Sequence, residues 1–379
     1  MPPMSHDIQC AHSSRNRGRS IVPTSAVRTM AVATLLAAVT ACSGGDSSSP
    51  TTASTVAATV PVTTIAATTT VATTSTTLAP TTTTTTTTLP TIDTSVLADV
   101  VAAAALGPVP EATPIKTARS DISPLEDNGC HVGWGATAPS GLACEFGDTT
   151  SDVIVVLTGD SHAAAWFGTF DEAGKANHWK IITVTKRGCP TADVRVYSAV
   201  NREILDAPYP ECDTWRAAAI QYIVGLQPDL VVFPMLTRRG AVGHRGADAI
   251  REWGAGLGRT LDAVGASGAK MLVIGDTPKT NGDNIPLCVS GHQQNIAPCG
   301  NSRSKAVLDE RLAVLAQTAP AHHATYVDTS NWFCTDTFCP AVIGSLVVYS
   351  DDSHLTDSYA RYRAPQMAAA IQVALASNP

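Results

Sequence analysis

The chain has 379 residues, with 25 basic and 32 acidic side chains and a net charge of −7 when histidine is neutral. An acidic balance with no basic stripe sets aside nucleic-acid binding.

Arg15, Arg17, Arg19 and Arg28 form a basic region ahead of an uncharged, mostly apolar stretch from Thr29 to Ala41. Those 13 residues are too few to cross a bilayer, which takes about 20, and suit the core of a signal peptide. The stretch ends in Val39-Thr40-Ala41-Cys42, which resembles the lipobox of bacterial lipoproteins. On that resemblance residues 1–41 are a lipoprotein signal peptide and Cys42 is lipidated. An ordinary export signal followed by a chance cysteine is the alternative. Removing the leader's four arginines and Asp7 leaves 21 basic against 31 acidic residues. Residues 42–92 are nearly all Ser, Thr, Ala, Val and Pro, with an unbroken threonine run from Thr81 to Thr88 and a single charge before the run, Asp46. Such a segment buries too little apolar surface to offset its ordering entropy and reads as a disordered stalk.

Apart from Cys10 and Cys42, eight cysteines follow: Cys130, Cys144, Cys189, Cys212, Cys288, Cys299, Cys334 and Cys339. An even number in an exported domain argues for disulfides, and eight allow about 105 connectivities. Closeness in sequence favours nearest neighbours: 130 with 144, 189 with 212, 288 with 299, 334 with 339. A zinc site competes, but no C-x₂-C spacing and no H-E-x-x-H occurs, so no metal or other cofactor is expected.

Residues 93–150 read as an N-terminal extension with a helix near Val100–Leu106 and a disulfide-closed loop. From 151 to 379 short β-rich runs alternate with helical patterns. The expected strands are Val153–Leu157, Lys180–Val184, Leu230–Pro234, Met271–Gly275 and Ala324–Val327. The expected helices lie near 162–176, 211–225, 247–267, 302–318 and 356–376, and 281–301 reads as a long loop near the rim. Alternation of this kind implies βαβ crossovers and a parallel sheet covered on both faces. The expected fold is a flavodoxin-like three-layer α/β/α sandwich with a five-stranded parallel sheet, order 2-1-3-4-5. Sites in such sheets form beyond the carboxyl ends of the strands.

Two strings meet at that rim. Gly159-Asp160-Ser161-His162 follows the first strand, and Asp351-Asp352-Ser353-His354 precedes the last helix. Ser161 would sit where a strand turns into a helix, exposing its hydroxyl beside free backbone N–H groups. Asp351 and His354 supply the other two parts of a Ser-His-Asp triad. Ser161 as a plain helix cap, and Asp351-Asp352 as a plain turn, are the bland alternatives. Asp160 reads as a structural anchor of the turn. His162, beside Ser161, either has a direct part in the chemistry or simply starts the helix. Lys186, Arg187, Arg238 and Arg239 suit an acidic glycan or, as ordinary residues, solvated surface. The tryptophans read as core or rim packing rather than as a sugar platform, Trp166 being the one near enough to the serine to serve as such a platform.

The motifs resemble the SGNH (GDSL-like) hydrolase superfamily. Leu157-Thr158-Gly159-Asp160-Ser161-His162-Ala163, Thr185-Lys186-x-Gly188-Cys189-Pro190, Cys212-x-x-Trp215, Pro228-Asp229-Leu230-Val231-Val232 and Asp351-x-x-His354-Leu355-Thr356 look, more narrowly, like SGNH domains attached to bacterial membrane acyltransferases of the acyltransferase-3 type. The resemblance covers about residues 150–375. It implies ester chemistry on acyl groups, commonly acetyl groups of surface glycans. It assigns Ser161 as nucleophile, His354 as general base and Asp351 as its orienting carboxylate. It places the oxyanion between the N–H groups of Ser161 and Gly188 and an asparagine after the third strand. That asparagine does not appear: the segment reads Phe233-Pro234-Met235-Leu236-Thr237-Arg238-Arg239, leaving Arg238 or another donor for the role.

The resulting expectation is an exported serine esterase or O-acyltransferase acting through an acyl-enzyme on small acyl esters, acetyl above all, of cell-envelope glycans. It would be held at the outer face of the cell membrane by a lipid anchor, with a separate membrane acyltransferase as a partner. A lipase or lysophospholipase on the same fold, and a non-catalytic glycan-binding accessory protein, are the rivals.

Overall fold

The computed structural model describes Ile92 and residues 95–377, apart from 106, 201, 202 and 283. The expected signal peptide, Cys42 and all of the stalk but Ile92 lie outside the described residues. Seven strands form one sheet: β1 (His131–Val132), β2 (Glu145–Gly147), β3 (Ile154–Gly159), β4 (Lys180–Lys186), β5 (Leu230–Phe233), β6 (Lys270–Ile274) and β7 (Thr325–Val327). They lie in the order β1-β4-β3-β5-β6-β7, with β2 also paired to β4. Every pairing is parallel except that of β2.

The five strands read from the sequence stand in this sheet as 2-1-3-4-5, but the sheet has seven strands rather than five. The segment expected as an extension supplies the other two. β1 runs beside Thr185 and Lys186, and β2 beside Lys180, Ile181 and Ile182, so together they cover the outer edge of β4. An uncovered edge is open to stray pairing. β1 has two residues and β2, Glu145-Phe146-Gly147, has no apolar run, so neither is marked in the sequence. A hairpin, Tyr197–Val200 with Glu203–Pro208, was also not foreseen.

The helices are α1 (Ala98–Ala104), α2 (Ser161–Ala165), α3 (Phe167–Asn177), α4 (Pro210–Leu226), α5 (Gly246–Gly265), α6 (Ile285–Gly291), α7 (Arg303–Ala306), α8 (Asp309–Ala321), α9 (Asp357–Tyr362) and α10 (Ala364–Ala376). Three expected helices are broken in two. The last breaks at Arg363 because Pro365 has no N–H to give and fits only a first turn. The first breaks at Trp166, which caps α2 and opens α3. Its indole is 1% exposed, packed edge-on against Trp332 and Phe333, so it belongs to the core and not to the rim.

Burial on both faces explains the continuous apolar strands. Val155, Leu157, Leu230 and Val232 pack with Phe170 of α3 and Met367 and Ile371 of α10. Val156, Val231 and Phe233 pack with Trp215 of α4, Leu257 of α5 and Leu315 of α8. Each such side chain contributes about 1.5–3 kcal/mol. The four disulfides are Cys130–Cys144, Cys189–Cys212, Cys288–Cys299 and Cys334–Cys339, the nearest-neighbour set. Among the described residues no helix is long and apolar enough to cross a membrane.

Candidate active site

β3 ends at Gly159, whose φ is +156°. A Cβ there would lie 2.3 Å from the Pro234 carbonyl oxygen and 2.7 Å from the Ala163 methyl, so only glycine lets the chain turn here. Asp160 caps α2: one carboxylate oxygen accepts from His162 N (2.9 Å), the other from Leu236 N (2.9 Å). It ties the turn to the segment after β5, as a structural anchor would. Ser161 is the first residue of α2, and no acceptor among the described residues takes its N–H or that of Gly188.

Opposite, residues 350–354 close on themselves, with Ser350 N donating to the His354 carbonyl at 2.9 Å. One Asp351 oxygen accepts from Ser353 N (2.8 Å) and His354 N (2.9 Å). The other oxygen stands 2.8 Å from His354 Nδ1, and His354 Nε2 lies 2.8 Å from Ser161 Oγ. The D-x-x-H spacing thus lets one carboxylate shape the loop and orient the ring. With Nδ1–H donating to Asp351, Nε2 is left to accept from the serine hydroxyl. Burial would raise the Asp351 pKa, but the hydrogen bond and charge of His354 and the two backbone donors hold it well below the usual range. Burial would lower the His354 pKa, yet the Asp351 hydrogen bond and charge, with Glu126 and Asp160 beyond, raise it above the ordinary 6.5.

Gly188, past the end of β4, has φ of +58°. These residues line a cleft of about 950 Å³, together with Arg119, Glu126, Trp134, Arg187, Arg238, Arg239, Lys279, Asn281 and Lys305. His162 and Arg238 both reach its wall. The His162 ring is 5.2 Å from that of His354; its Nδ1 is 3.1 Å from Thr277 Oγ1 and 3.5 Å from Asp276 Oδ1. Its Nε2 is buried with no partner. Arg238 faces Asp276 at 3.7 Å and donates to the Thr277 carbonyl at 3.3 Å. Burial would raise the Asp276 pKa, but His162, Arg238 and the Thr237 N–H bring it below the usual value.

Two of the expected surface cations are buried: Lys186 at 0% and Arg239 at 8% exposed. Lys186 faces inward beneath the loop of Gly133 and Trp134, donating to both carbonyls; Arg239 lies between Trp134 and the Tyr197 carbonyl. Sequence reasoning also missed Trp134, Glu126 and Asp276. For Asp276 a signal was present, since it directly follows an apolar strand of a parallel sheet. Among the described residues the one grouping of metal-ligand types is Cys288, His292 and Cys299. Its two sulfurs are joined to each other and offer no thiolates.

Residues 129–369, 241 of 379, match the family described as "SGNH domain (fused to AT3 domains)". By structure the chain is similar to the periplasmic domain of a lipopolysaccharide acetyltransferase from Salmonella ser. Paratyphi A. The likeness covers 69% of this chain and 98% of that one at 17% identity, with a TM-score of 0.51. It speaks for a shared fold. A carbohydrate esterase family 2 enzyme from Corynascus thermopiles (Myceliophthora fergusii) is a more distant likeness, with 14% identity and a TM-score of 0.37 over 60% of this chain and 67% of that one. No curated protein matches by sequence. With more than half its length inside the family match, the chain belongs to the family of SGNH domains found fused to AT3 domains.

Proposed function

We propose that this protein is an exported serine esterase or O-acyltransferase that moves small acyl groups, acetyl above all, on cell-envelope glycans. The observation that carries the reading is the unbroken line Asp351–His354–Ser161, with 2.8 Å at each step, opening into a large polar cleft. In this mechanism Ser161 Oγ attacks the ester carbonyl while its proton passes to His354 Nε2. The tetrahedral oxyanion is held by the Ser161 and Gly188 N–H groups. Collapse breaks the ester bond, the departing alcohol takes the proton from His354, and the acyl group stays on Ser161. Water or a sugar hydroxyl then gives its proton to His354 and attacks the acyl-enzyme; collapse breaks the bond to Ser161 Oγ, which takes the proton back from His354, and the acid or the new ester is released.

The third oxyanion donor, in place of the absent asparagine, is assigned to His162. Arg238 is engaged with Asp276 and Thr277, whereas His162 has an unpartnered Nε2 beside the triad. In the tautomer that accepts the Thr277 hydroxyl at Nδ1, rather than the one that donates to Asp276 Oδ1 at 3.5 Å, Nε2 carries the proton. The disulfides fit an oxidising compartment. The lipid anchor at Cys42 and the partnership with a membrane acyltransferase are carried forward from the sequence.

The test is p-nitrophenyl acetate hydrolysis by the domain from about Ser95 onward, parent against Ser161→Ala. Activity lost with the serine supports the acyl-enzyme route. Glycan binding without turnover in either protein points instead to an accessory role, and preference for long-chain over acetyl esters to a lipase. Acylated sugar formed when glycan is added distinguishes transfer from hydrolysis.

A further inference from the structure

Five of the six tryptophans are buried, at 6% exposure or less, while Trp134 is 36% exposed and is the one Phe, Tyr or Trp among the described residues lining the cleft. Its place in the wall is held by interior groups. Lys186 donates to the carbonyls of Gly133 (2.7 Å) and Trp134 (2.6 Å), with no carboxylate within ion-pair distance among the described residues. The hydroxyl of the buried Tyr209 lies 2.8 Å from the same Trp134 oxygen, and its ring is 5.1 Å from the indole. The guanidinium of Arg239 sits 5.4 Å from the indole centroid. The indole in turn covers Gly188, where an added Cβ would meet it at 2.4 Å.

Burying an ammonium without a counter-charge is costly. Here it fixes the backbone beneath a ring that stays open to the cleft. A tryptophan serving only to fill space would be covered, as the other five are. A flat, rigid apolar face in a polar cleft suits the C–H face of a pyranose, whose hydroxyls remain free to meet the polar wall.

We propose that Trp134 is a sugar-stacking platform that seats the pyranose ring of the acylated glycan so that its ester reaches Ser161 beside Gly188. The proposal rests on the esterase or transferase reading above, and its test separates the two. Hydrolysis of β-D-glucose pentaacetate and of vinyl acetate, which has no ring, is compared in the parent, Trp134→Phe and Trp134→Ala. The ratio of kcat/KM for the sugar ester over vinyl acetate is expected to fall about tenfold in Trp134→Ala, through KM, and to stay within about threefold in Trp134→Phe. An unchanged ratio in Trp134→Ala, with both substrates turned over, overturns the platform and leaves the esterase standing.

A second readout needs no turnover. In Ser161→Ala protein the tryptophan fluorescence should respond saturably to glucose pentaacetate, and the response should vanish in Ser161→Ala/Trp134→Phe. A response from a protein that hydrolyses neither ester keeps the platform and removes the esterase. No response, or one that survives loss of Trp134, overturns the proposal.

Discussion

On one wall of the cleft His354 is held by a carboxylate, and every polar atom of its ring has a partner. On the other wall Trp134 is held by a buried lysine with no carboxylate within ion-pair distance among the described residues, and Arg239 Nε is buried without a hydrogen-bond partner. In the proposed reaction the first wall is the closed circuit that passes the proton. The second keeps a ring that is 36% exposed, as a surface does when its partner arrives from outside. Chemistry needs the one arrangement and recognition the other.

The comparison breaks hardest at Asp351. Replacing it with Asn leaves the loop's shape available but removes the charge that orients the ring, and kcat should fall about 10³–10⁴-fold. The pH profile gives a second sign. The general base works only when neutral, so activity rises with pH through the pKa of His354, which Asp351 lifts above the ordinary 6.5. In Asp351→Asn the largest raising effects are gone and burial is opposed only by the more distant Glu126 and Asp160, so the residual activity should show its acid limb below that of the parent. An unmoved limb would detach Asp351 from His354.

His162 lies between the walls and sharpens the comparison. His162→Phe keeps a buried ring but removes Nε2–H; kcat should fall about 10²-fold with KM little changed, as when one oxyanion donor is lost. Arg238→Met should cost less. The reverse ranking in steady-state kinetics would pass the role to Arg238.

The two walls also differ in how far the sequence discloses them. The triad and its turn come from two strings of four residues, each of which fixes its own geometry: Asp160 caps its own helix, and Asp351 caps its own loop. Hence Ser161, Asp351 and His354 stand out as candidates from spacing alone, as do the strands β3 to β7. The Trp134 wall is assembled from residues 133–134, 186–188, 209 and 239, which meet only because β1 pairs with the end of β4. No local pattern marks a two-residue strand, and nothing in the string Thr185-Lys186-Arg187 says which cation turns inward. Long-range pairing decided both.

The Cys130–Cys144 disulfide closes the loop that carries Trp134, with a sequence separation of 14. Cys130→Ser/Cys144→Ser should lose about 3 kcal/mol of unfolding free energy in urea. The loss of sugar-over-vinyl selectivity should follow while vinyl acetate turnover persists in the folded protein. Stability unchanged by the double substitution would mean that β1 and β2 hold the loop without the bond.

The smallest effect is the most specific to the second wall. Burial lowers the Lys186 pKa from 10.5 to about 8, with Glu211 pulling it part of the way back. Between those values the unfolded chain holds a proton that the folded one has released, so stability must rise with pH across the window. Below about pH 8 both states are protonated and the fold bears the full cost of the buried charge. The gain attributable to Lys186 between pH 8 and 10.5 is roughly 2 kcal/mol. Urea unfolding of the parent and of Lys186→Met at both ends of that range isolates it, because every other titrating group is common to the two. The parent's advantage over the variant should grow on going alkaline. Parallel curves would mean that Lys186 is deprotonated or solvated throughout, and the Trp134 backbone would then be held by Tyr209 alone.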